Sequence, residues 1–246
     1  MTHTSRSILA IAAALFGLSI AGPAFADKTT LAVSGEITGE LGIVSDYRFR
    51  GISRSFGDPA IQGGAELTLP SNFYVGTWAS IVDKNQFANS RGFEWQINAG
   101  YRAKLWEGAR LDVGLVQYMY PSESHYSTLE AYGGVTWKWF NFKLYNAMSN
   151  RFFGTEGARN SRYFDFNVVY PLYPDLKLIG HVGNQLISGN DGDHIDYRLG
   201  LEKMWKGLAW GVSWYGTDVD VSTTNLAGRT VNLGGRATVL SIRKEF

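Results

Sequence analysis

The sequence predicts an all-β protein, a transmembrane antiparallel up-and-down β-barrel of about twelve strands. Three observations lead to this prediction. Segments of roughly ten residues alternate apolar and polar side chains, which point to opposite faces of an extended strand. Clusters of turn residues separate these segments. After the N-terminal segment, no apolar run reaches the length of about 18 residues that a membrane helix needs. An apolar face for lipid and a polar face for a lumen are what each strand of a membrane barrel requires.

The first 26 residues have the pattern of a secretory signal peptide. Arg6 provides a charged start, residues 8–20 are apolar, and Ala24-Phe25-Ala26 forms a small-x-small end. This pattern predicts cleavage after Ala26 and export from the cytoplasm. The barrel domain is therefore predicted over residues 27–246.

Composition excludes several classes of protein. The chain has 23 basic and 22 acidic residues, so it lacks the positive excess of a nucleic-acid binder, and we expect no nucleic-acid partner. It has no cysteine, which excludes disulfides, Cys-ligated metals and a thiol nucleophile. The mean hydropathy of −0.13 excludes a polytopic helical membrane protein. It is compatible with a barrel, because only alternate residues of a barrel strand meet lipid.

The first strand is predicted over residues 37–50. Its second half alternates charged Asp46, Arg48 and Arg50 with aromatic Tyr47 and Phe49. Since successive side chains of a strand point to opposite faces, this pattern assigns the charged residues to the lumen and the aromatic residues to lipid.

The later strands follow from the same alternation. The clearest case begins at Phe93, where apolar Phe93, Trp95 and Ile97 alternate with polar Glu94 and Gln96. Strands are predicted near residues 59–69, 73–81, 93–102, 110–115, 128–137, 140–147, 164–170, 176–182, 197–202, 210–214 and 236–246. Short and long connections alternate between them, which is typical of outer-membrane barrels with short periplasmic turns and long external loops. The C-terminal Phe246 resembles the assembly signal of such proteins.

One run of residues resembles a known family. The sequence SDYRFRGISRS at residues 45–55, followed by DPAIQGG at residues 58–64, is similar to the N-terminal hallmark of the TorF family of porins, which are Gram-negative outer-membrane proteins. This resemblance implies a location in the bacterial outer membrane and a pore function without an assigned solute. It implies no binding residues, and we expect no cofactor.

The predicted strand phases place charges of both signs inside the barrel. The residues predicted to line the pore are Asp46, Arg48, Arg50, Glu66, Glu94, Arg102, Arg110, Asp112, Glu130, Lys143, Asp165, Lys177, His181, Arg198, Glu202 and Arg243. They fit either a hydrated channel or a lumen that ion pairs close. Twelve strands enclose more space than the eight that side chains alone can fill, which favours a passive channel for small hydrophilic solutes or ions, surrounded by outer-membrane lipid. A loop folded into the lumen would reverse this preference.

The arginines of the first strand allow two interpretations. Arg48 and Arg50 could form a basic ladder that guides anionic solutes. Alternatively, they could pair with Asp46, Glu66 or neighbouring carboxylates and stiffen the wall, because inward charges in membrane proteins usually pair. The sequence leaves both open.

Other functions are weaker alternatives. A non-conducting structural or adhesive barrel fits the same strands. A lipid hydrolase would need His125 with Ser122, Ser124 or Ser127, or else His181 or His194, but proximity in one polar loop does not make a catalytic arrangement. We therefore predict no enzyme.

Two further alternatives come from a loop and from the alternation itself. Residues 190–193 with Asp196 could hold calcium, but they lack the spacing of a calcium loop, and Asn, Asp and Gly are also turn residues. We predict no metal site. A soluble periplasmic β-sandwich stays open, because alternation does not distinguish lipid from a protein core.

Overall fold

The barrel is closed and antiparallel, and twelve strands form its wall. The computed structural model describes residues 34–84, 92–121, 123–189, 192–224 and 228–246. Each barrel strand pairs with the next one along the chain, and the first and last strands close the ring, with Leu41 opposite Lys244. The predicted fold class is confirmed. The predicted signal peptide lies outside the described residues and stays a prediction.

The strands, in chain order, are β1 (Glu36–Val44), β2 (Arg48–Phe49), β3 (Ile52–Ser53), β4 (Ala60–Thr68), β5 (Phe73–Ile81), β6 (Phe93–Trp106), β7 (Ala109–Met119), β8 (Thr128–Trp137), β9 (Phe140–Ala147), β10 (Arg162–Tyr173), β11 (Leu176–Leu186), β12 (His194–Trp205), β13 (Leu208–Thr217), β14 (Ser222–Thr224), β15 (Thr230–Asn232) and β16 (Ala237–Glu245). The pairs β2–β3 and β14–β15 are small hairpins that are not part of the barrel wall. A 3₁₀ turn spans Ser124–Tyr126. Among the described residues, no helix is both long enough and apolar enough to cross a membrane.

The outer surface is apolar because the period-two pattern sends one face of every strand outward. Exposed large apolar side chains follow the strands around the barrel, among them Leu41, Val113, Val182 and Leu240. Aromatic side chains gather on this surface beside the short turns; they are Phe73, Trp106, Trp137, Trp139, Tyr173, Trp205 and Phe246. This arrangement is typical of an aromatic girdle at a membrane interface.

The two ends of the barrel differ in their connections. At one end, the short-turn end, the links are 69–72, 107–108, 138–139, 174–175 and 206–207. At the other, the long-loop end, they are 45–59, 82–92, 120–127, 148–161, 187–193 and 218–236. The C-terminal Phe246 pairs its backbone with Gly39, so the chain ends at the short-turn end. The predicted alternation of short and long connections is observed.

The first strand is shorter than predicted. β1 ends at Val44, and residues 45–59, here called the inner loop, leave the wall and fold into the barrel. Arg50 and Gly51 both have positive φ, +50° and +80°, and form the two-residue turn between β2 and β3. Positive φ at both positions is what a tight type I′ turn needs. The prediction of a strand through Arg50 is therefore wrong.

The predicted facing of the aromatic residues in this stretch is also wrong. Tyr47 is buried inside the barrel, with its ring centre 5.4 Å from that of Trp78 on β5. Phe49 packs edge to face on Tyr118 and Phe153. These rings gain burial in the barrel interior, which the lipid-facing assignment did not consider.

The barrel interior has two unlike halves. Next to β4–β8, a buried cluster fills the lumen; it consists of Tyr47, Ala60, Tyr74, Val82, Val116, Tyr118, Tyr120 and Tyr132. Next to β9–β13, β16 and β1, the lumen contains cavities. The inner loop lies between these halves, at the long-loop end.

Candidate functional site

The tip of the inner loop is fastened to the opposite wall through Arg50. Its Nη2 lies 2.6 Å from Oε2 of Glu130 on β8, and its Nη1 donates to Oε1 of Gln185 on β11 at 2.7 Å. The guanidinium carbon also lies 4.3 Å from the ring centre of Tyr163. Burial alone would lower the pKa of Arg50, but the charge of Glu130, its hydrogen bond to Arg50 and the neighbouring tyrosines together raise the pKa above its usual value. Arg50 is therefore a permanent cation inside the barrel.

Further contacts hold the loop tip against β12 and β13. The Nε2 nitrogen of His194 lies 3.0 Å from the carbonyl oxygen of Arg50. Gly51 approaches the wall so closely that an added Cβ would lie 2.5 Å from Cβ of Asp196 and 3.2 Å from Cβ of Thr217. Only glycine fits this position, because it needs both positive φ and the absence of a side chain.

The base of the inner loop is organised by Asp46. Its carboxylate accepts hydrogen bonds from the hydroxyls of Ser53 and Ser55 and from Nε of Arg48, the last at 2.7 Å. The amide of Ser53 also donates to the carbonyl of Leu233 in the loop 218–236. The inner loop is thus supported by its own side chains and by a second external loop.

A buried carboxylate joins the inner loop to β6. Glu94 is fully buried and accepts hydrogen bonds from the hydroxyls of Tyr47 and Tyr120, at 3.1 and 2.7 Å. Burial raises the pKa of both phenols well above 10.0, and the charge of Glu94 raises it further. Both hydroxyls therefore stay protonated and donate.

Two cavities lie on the short-turn side of the inner loop. One has a volume of about 240 Å³ and lies against the loop tip, between Arg50, Tyr163 and His181. The other, of about 580 Å³, extends toward the short-turn end, where Glu40 and Arg243 keep about a third of their side chains exposed. The cavities meet, because both are lined by Arg48, Asn167, Arg198 and Tyr215.

The residues predicted to line the pore divide into those that line a cavity and those that do not. Those that line one or both cavities are Asp46, Arg48, Arg50, Asp165, Lys177, His181, Arg198, Glu202 and Arg243. Those that line neither are Glu66, Glu94, Arg102, Arg110, Asp112, Glu130 and Lys143. The three charged residues predicted on the inward face of strand one, Asp46, Arg48 and Arg50, lie on the inner loop instead.

Ion pairs neutralise most of these charges. On the filled side, Arg102 pairs with Glu66, and Lys143 pairs with Asp112 at 2.7 Å. On the cavity side, Arg243 bridges Glu40 and Glu202 at 3.2 and 3.1 Å. Arg48 pairs with Asp46, as the second interpretation of the arginines expects, whereas Arg50 reaches Glu130 across the barrel.

Sequence reasoning missed several residues of this site. Gln185, Tyr163 and Asp196 contact the inner loop or the cavity wall, yet they were not among the predicted pore residues. Asp196 accepts from the hydroxyl of Tyr163 at 2.9 Å and lies 2.8 Å from Nε2 of His181. Their position on the inward phase of β10, β11 and β12 was available from the alternation. Their contacts with the inner loop were not.

The described residues give little structural support to the two weaker alternatives, a lipid hydrolase and a calcium site. His125 packs edge to face on Tyr126, and within the described part of the chain no hydrogen bond joins it to Ser124 or Ser127; Ser122 lies outside that part. His194 contacts backbone carbonyl oxygens, and His181 lies between Asp165 and Asp196 in the lumen. Asn190 and Asp191 of the calcium alternative are also outside the described residues, among which no group of His, Cys, Asp or Glu could hold a metal ion.

Comparison with known proteins supports the architecture. A family model described as "Bacterial protein of unknown function (Gcw_chp)" matches residues 28–246. Two solved structures are similar in fold. "KdgM porin" has a TM-score of 0.54 and 8% identity over 85% of this chain and 98% of its own. "NanC porin" has a TM-score of 0.52 and 11% identity over 85% and 98%. The barrel therefore shares the fold of outer-membrane porins. No curated protein matched the chain, and the resemblance to the TorF family stays a prediction.

Proposed function

We propose that this chain, which belongs to the Gcw_chp family of bacterial proteins of unknown function, is an outer-membrane porin. It forms a passive channel for small hydrophilic solutes or ions. The observation that carries this proposal is the pair of contiguous cavities, lined by charged, amide and hydroxyl side chains, inside a closed barrel. A polar lumen within an apolar outer surface provides a path for solutes that lipid excludes.

The outside of the barrel supports a location in the outer membrane. The apolar outer face and the aromatic girdle suit a bilayer, and the signal-peptide pattern at residues 1–26 suits export. With the short turns and the C-terminus facing the periplasm, the inner loop lies near the external mouth. The partners of the protein are then outer-membrane lipid and the solutes that pass.

The inner loop sets the width of the channel. It crosses the lumen from β1 and β4 to β8 and β11, and Arg50 forms its contact with the far wall. A solute must pass beside this loop, so passage is limited to small molecules. The cavity of about 240 Å³ against the loop tip gives the scale of the space on its short-turn side.

Single-channel recording of the refolded mature protein in a planar bilayer tests the proposal. Steady, discrete current steps in KCl are expected. Protein shown to be folded and inserted, yet silent over many insertions, would contradict a channel. Insertion can be checked independently by protease protection of the barrel in liposomes.

One observation favours a second candidate, a non-conducting structural or adhesive barrel. The buried pair of Arg50 and Glu130 fastens the inner loop across the lumen, with side chains only 6% and 0% exposed. If that contact never opens, the barrel presents loops to the outside without passing solutes. A silent wild-type protein that conducts after the inner loop is removed would support this candidate. Lipid hydrolysis is not proposed, and we keep the prediction that the protein is not an enzyme.

A further inference from the structure

Arg198 lies on β12 where the two cavities meet. It lines both of them, and its Nε donates to the hydroxyl of Ser213 at 2.9 Å. Its guanidinium carbon lies 5.2 Å from the ring centre of Tyr215. These contacts hold the planar group in place while its two terminal nitrogens have no hydrogen-bond partner among the described residues.

Arg198 differs from the other cations that line the cavities in its ion pairing. The other Lys and Arg side chains that line the cavities pair with carboxylates: Arg48 with Asp46, Arg50 with Glu130, and Lys177 and Arg243 with Glu202. Arg198 makes no ion pair with any carboxylate in the described part of the chain. The nearby Asp196 already contacts Tyr163 and His181. One cation with an unused pair of donors therefore faces the junction of the cavities.

A guanidinium with two free terminal nitrogens matches one chemical group best. A carboxylate accepts two parallel hydrogen bonds from such a fork, and the pair is stronger than a neutral hydrogen bond. Besides polar side chains that include Asp165, His181 and Asp196, the walls on the loop-tip side contain the rings of Phe49, Tyr145, Tyr163 and Tyr215. They offer apolar faces and hydroxyls to the body of a ligand. The volume of about 240 Å³ is below that of a pocket for a drug-sized ligand and indicates a small molecule.

We propose that Arg198 anchors a binding site for a small organic carboxylate in the barrel lumen. The site deepens the proposed channel function, on which it rests for delivery of the ligand, by assigning an anionic solute class to the path. The carboxylate lies on the Arg198 fork, and the body of the ligand lies between the tyrosine rings and the tip of the inner loop.

Isothermal titration of the refolded protein in detergent micelles tests the site without requiring ion conduction. The probes are benzoate and benzamide, which match in size and shape but differ in charge. Wild-type protein is expected to bind benzoate at least about tenfold more tightly than benzamide. Equal affinity for the two probes, or no binding of benzoate, would overturn the proposal whatever the variants show.

Variants then assign the effect to Arg198. The Arg198→Gln variant is expected to lose at least about tenfold in benzoate affinity, since it keeps a polar side chain but not the charge or the fork. The Arg198→Lys variant keeps the charge and should retain part of the affinity. Arg110→Gln is the control, because Arg110 is exposed and lines neither cavity. Unchanged benzoate binding in Arg198→Gln, or an equal loss in Arg110→Gln, would overturn the proposal.

The two proposals fail in different ways. Benzoate binding by a protein that carries no current would contradict the channel and leave the site standing. Current without a preference for benzoate over benzamide would contradict the site and leave the channel standing.

Discussion

The guanidinium of Arg50 and the carboxylate of Glu130, which are 80 residues apart in the chain, meet inside the barrel at 2.6 Å. Glu130 is fully buried on the wall strand β8, and its Oε1 atom has no hydrogen-bond partner among the described residues. Arg50 is therefore its one ion-pair partner among the described residues. This contact fastens the tip of the inner loop to the far wall of the barrel.

Loss of one partner of this pair should be costly. In Arg50→Met, the carboxylate of Glu130 stays buried without a cation, and we expect the free energy of unfolding to fall by about 3–5 kcal/mol. The double variant Arg50→Met/Glu130→Met should lose less than Arg50→Met alone, because no uncompensated charge is left. Urea unfolding of the protein in micelles, followed by tryptophan fluorescence, measures both.

The control for this cycle is the exposed pair Arg151 and Glu156, whose side chains are about half exposed. Arg151→Gln should cost less than about 1 kcal/mol, since solvent screens exposed pairs. A double variant as unstable as Arg50→Met would contradict the dependence of Glu130 on Arg50.

Removal of the inner loop should widen the channel. Val44 and Ala60 are register partners of β1 and β4, so a short Ser-Asn-Gly-Ser linker can replace residues 45–59 without breaking the barrel wall. Since these residues cross the lumen, we expect single-channel conductance in KCl to rise by roughly twofold or more. Asp58→Asn, at the exposed end of the same loop, should leave the conductance unchanged. Equal conductance with and without the loop would show that the loop does not limit passage.

The wall of the barrel could be predicted from the sequence because its signal is local. The alternation of apolar and polar residues sets which segments form strands, and the structure has Phe73–Ile81, Thr128–Trp137 and Phe140–Ala147 with the predicted bounds. The order of short and long connections was likewise available, since turn residues mark it. These features need no knowledge of distant contacts.

The inner loop could not be predicted in the same way. Residues 46–50 continue the alternation of β1, so no local pattern separates a longer strand from a loop that folds inward. Its long-range contacts include Tyr47 to Glu94, 47 positions apart, and Arg48 to Gly234, 186 positions apart. The one local sign was Gly51, a glycine within a strand pattern, which often marks a turn or a close approach of backbone.

The close approach of Gly51 to the wall gives a test of how tightly the loop is seated. Gly51→Ala places a methyl group against Asp196 and Thr217 at a residue with φ of +80°. We expect the free energy of unfolding to fall by about 1–2 kcal/mol because of the backbone conformation, and by about a further 1–3 kcal/mol because of overpacking. The free energy of unfolding in urea measures the sum.

Gly57 is a matched control for this variant. It has a similar φ of +75°, but among the described residues an added Cβ would meet only Nη2 of Arg229, at 3.7 Å. Gly57→Ala should therefore show the backbone cost alone. If the two variants were equally destabilised, the loop tip would not be pressed against β12 and β13.

The raised pKa of the buried phenols predicts that the stability of the protein falls at alkaline pH. Burial raises the pKa of Tyr120 well above 10.0 in the folded protein, and the hydrogen bond to Glu94 raises it further. The charge of Arg54 opposes this rise. In the unfolded chain the pKa returns to about 10. The stability that the neutral phenol contributes is therefore complete below pH 10 and is lost as the pH rises toward the folded-state pKa.

Tyr120→Phe isolates this contribution, because phenylalanine does not titrate. At pH 8 the variant should be less stable than the wild type by about 1.5–3 kcal/mol, since the hydrogen bond to the charged Glu94 is lost. Above pH 10 the difference should shrink, as the unfolded wild-type chain releases the Tyr120 proton and the folded chain does not. Urea unfolding at pH 8, 9, 10 and 11 measures the difference. Tyr173→Phe serves as the control for the loss of an exposed phenol, because Tyr173 lies on the outer surface. A constant difference between wild type and Tyr120→Phe over this range would mean that the Tyr120 phenol titrates alike in the folded and unfolded states, which would contradict its burial against Glu94.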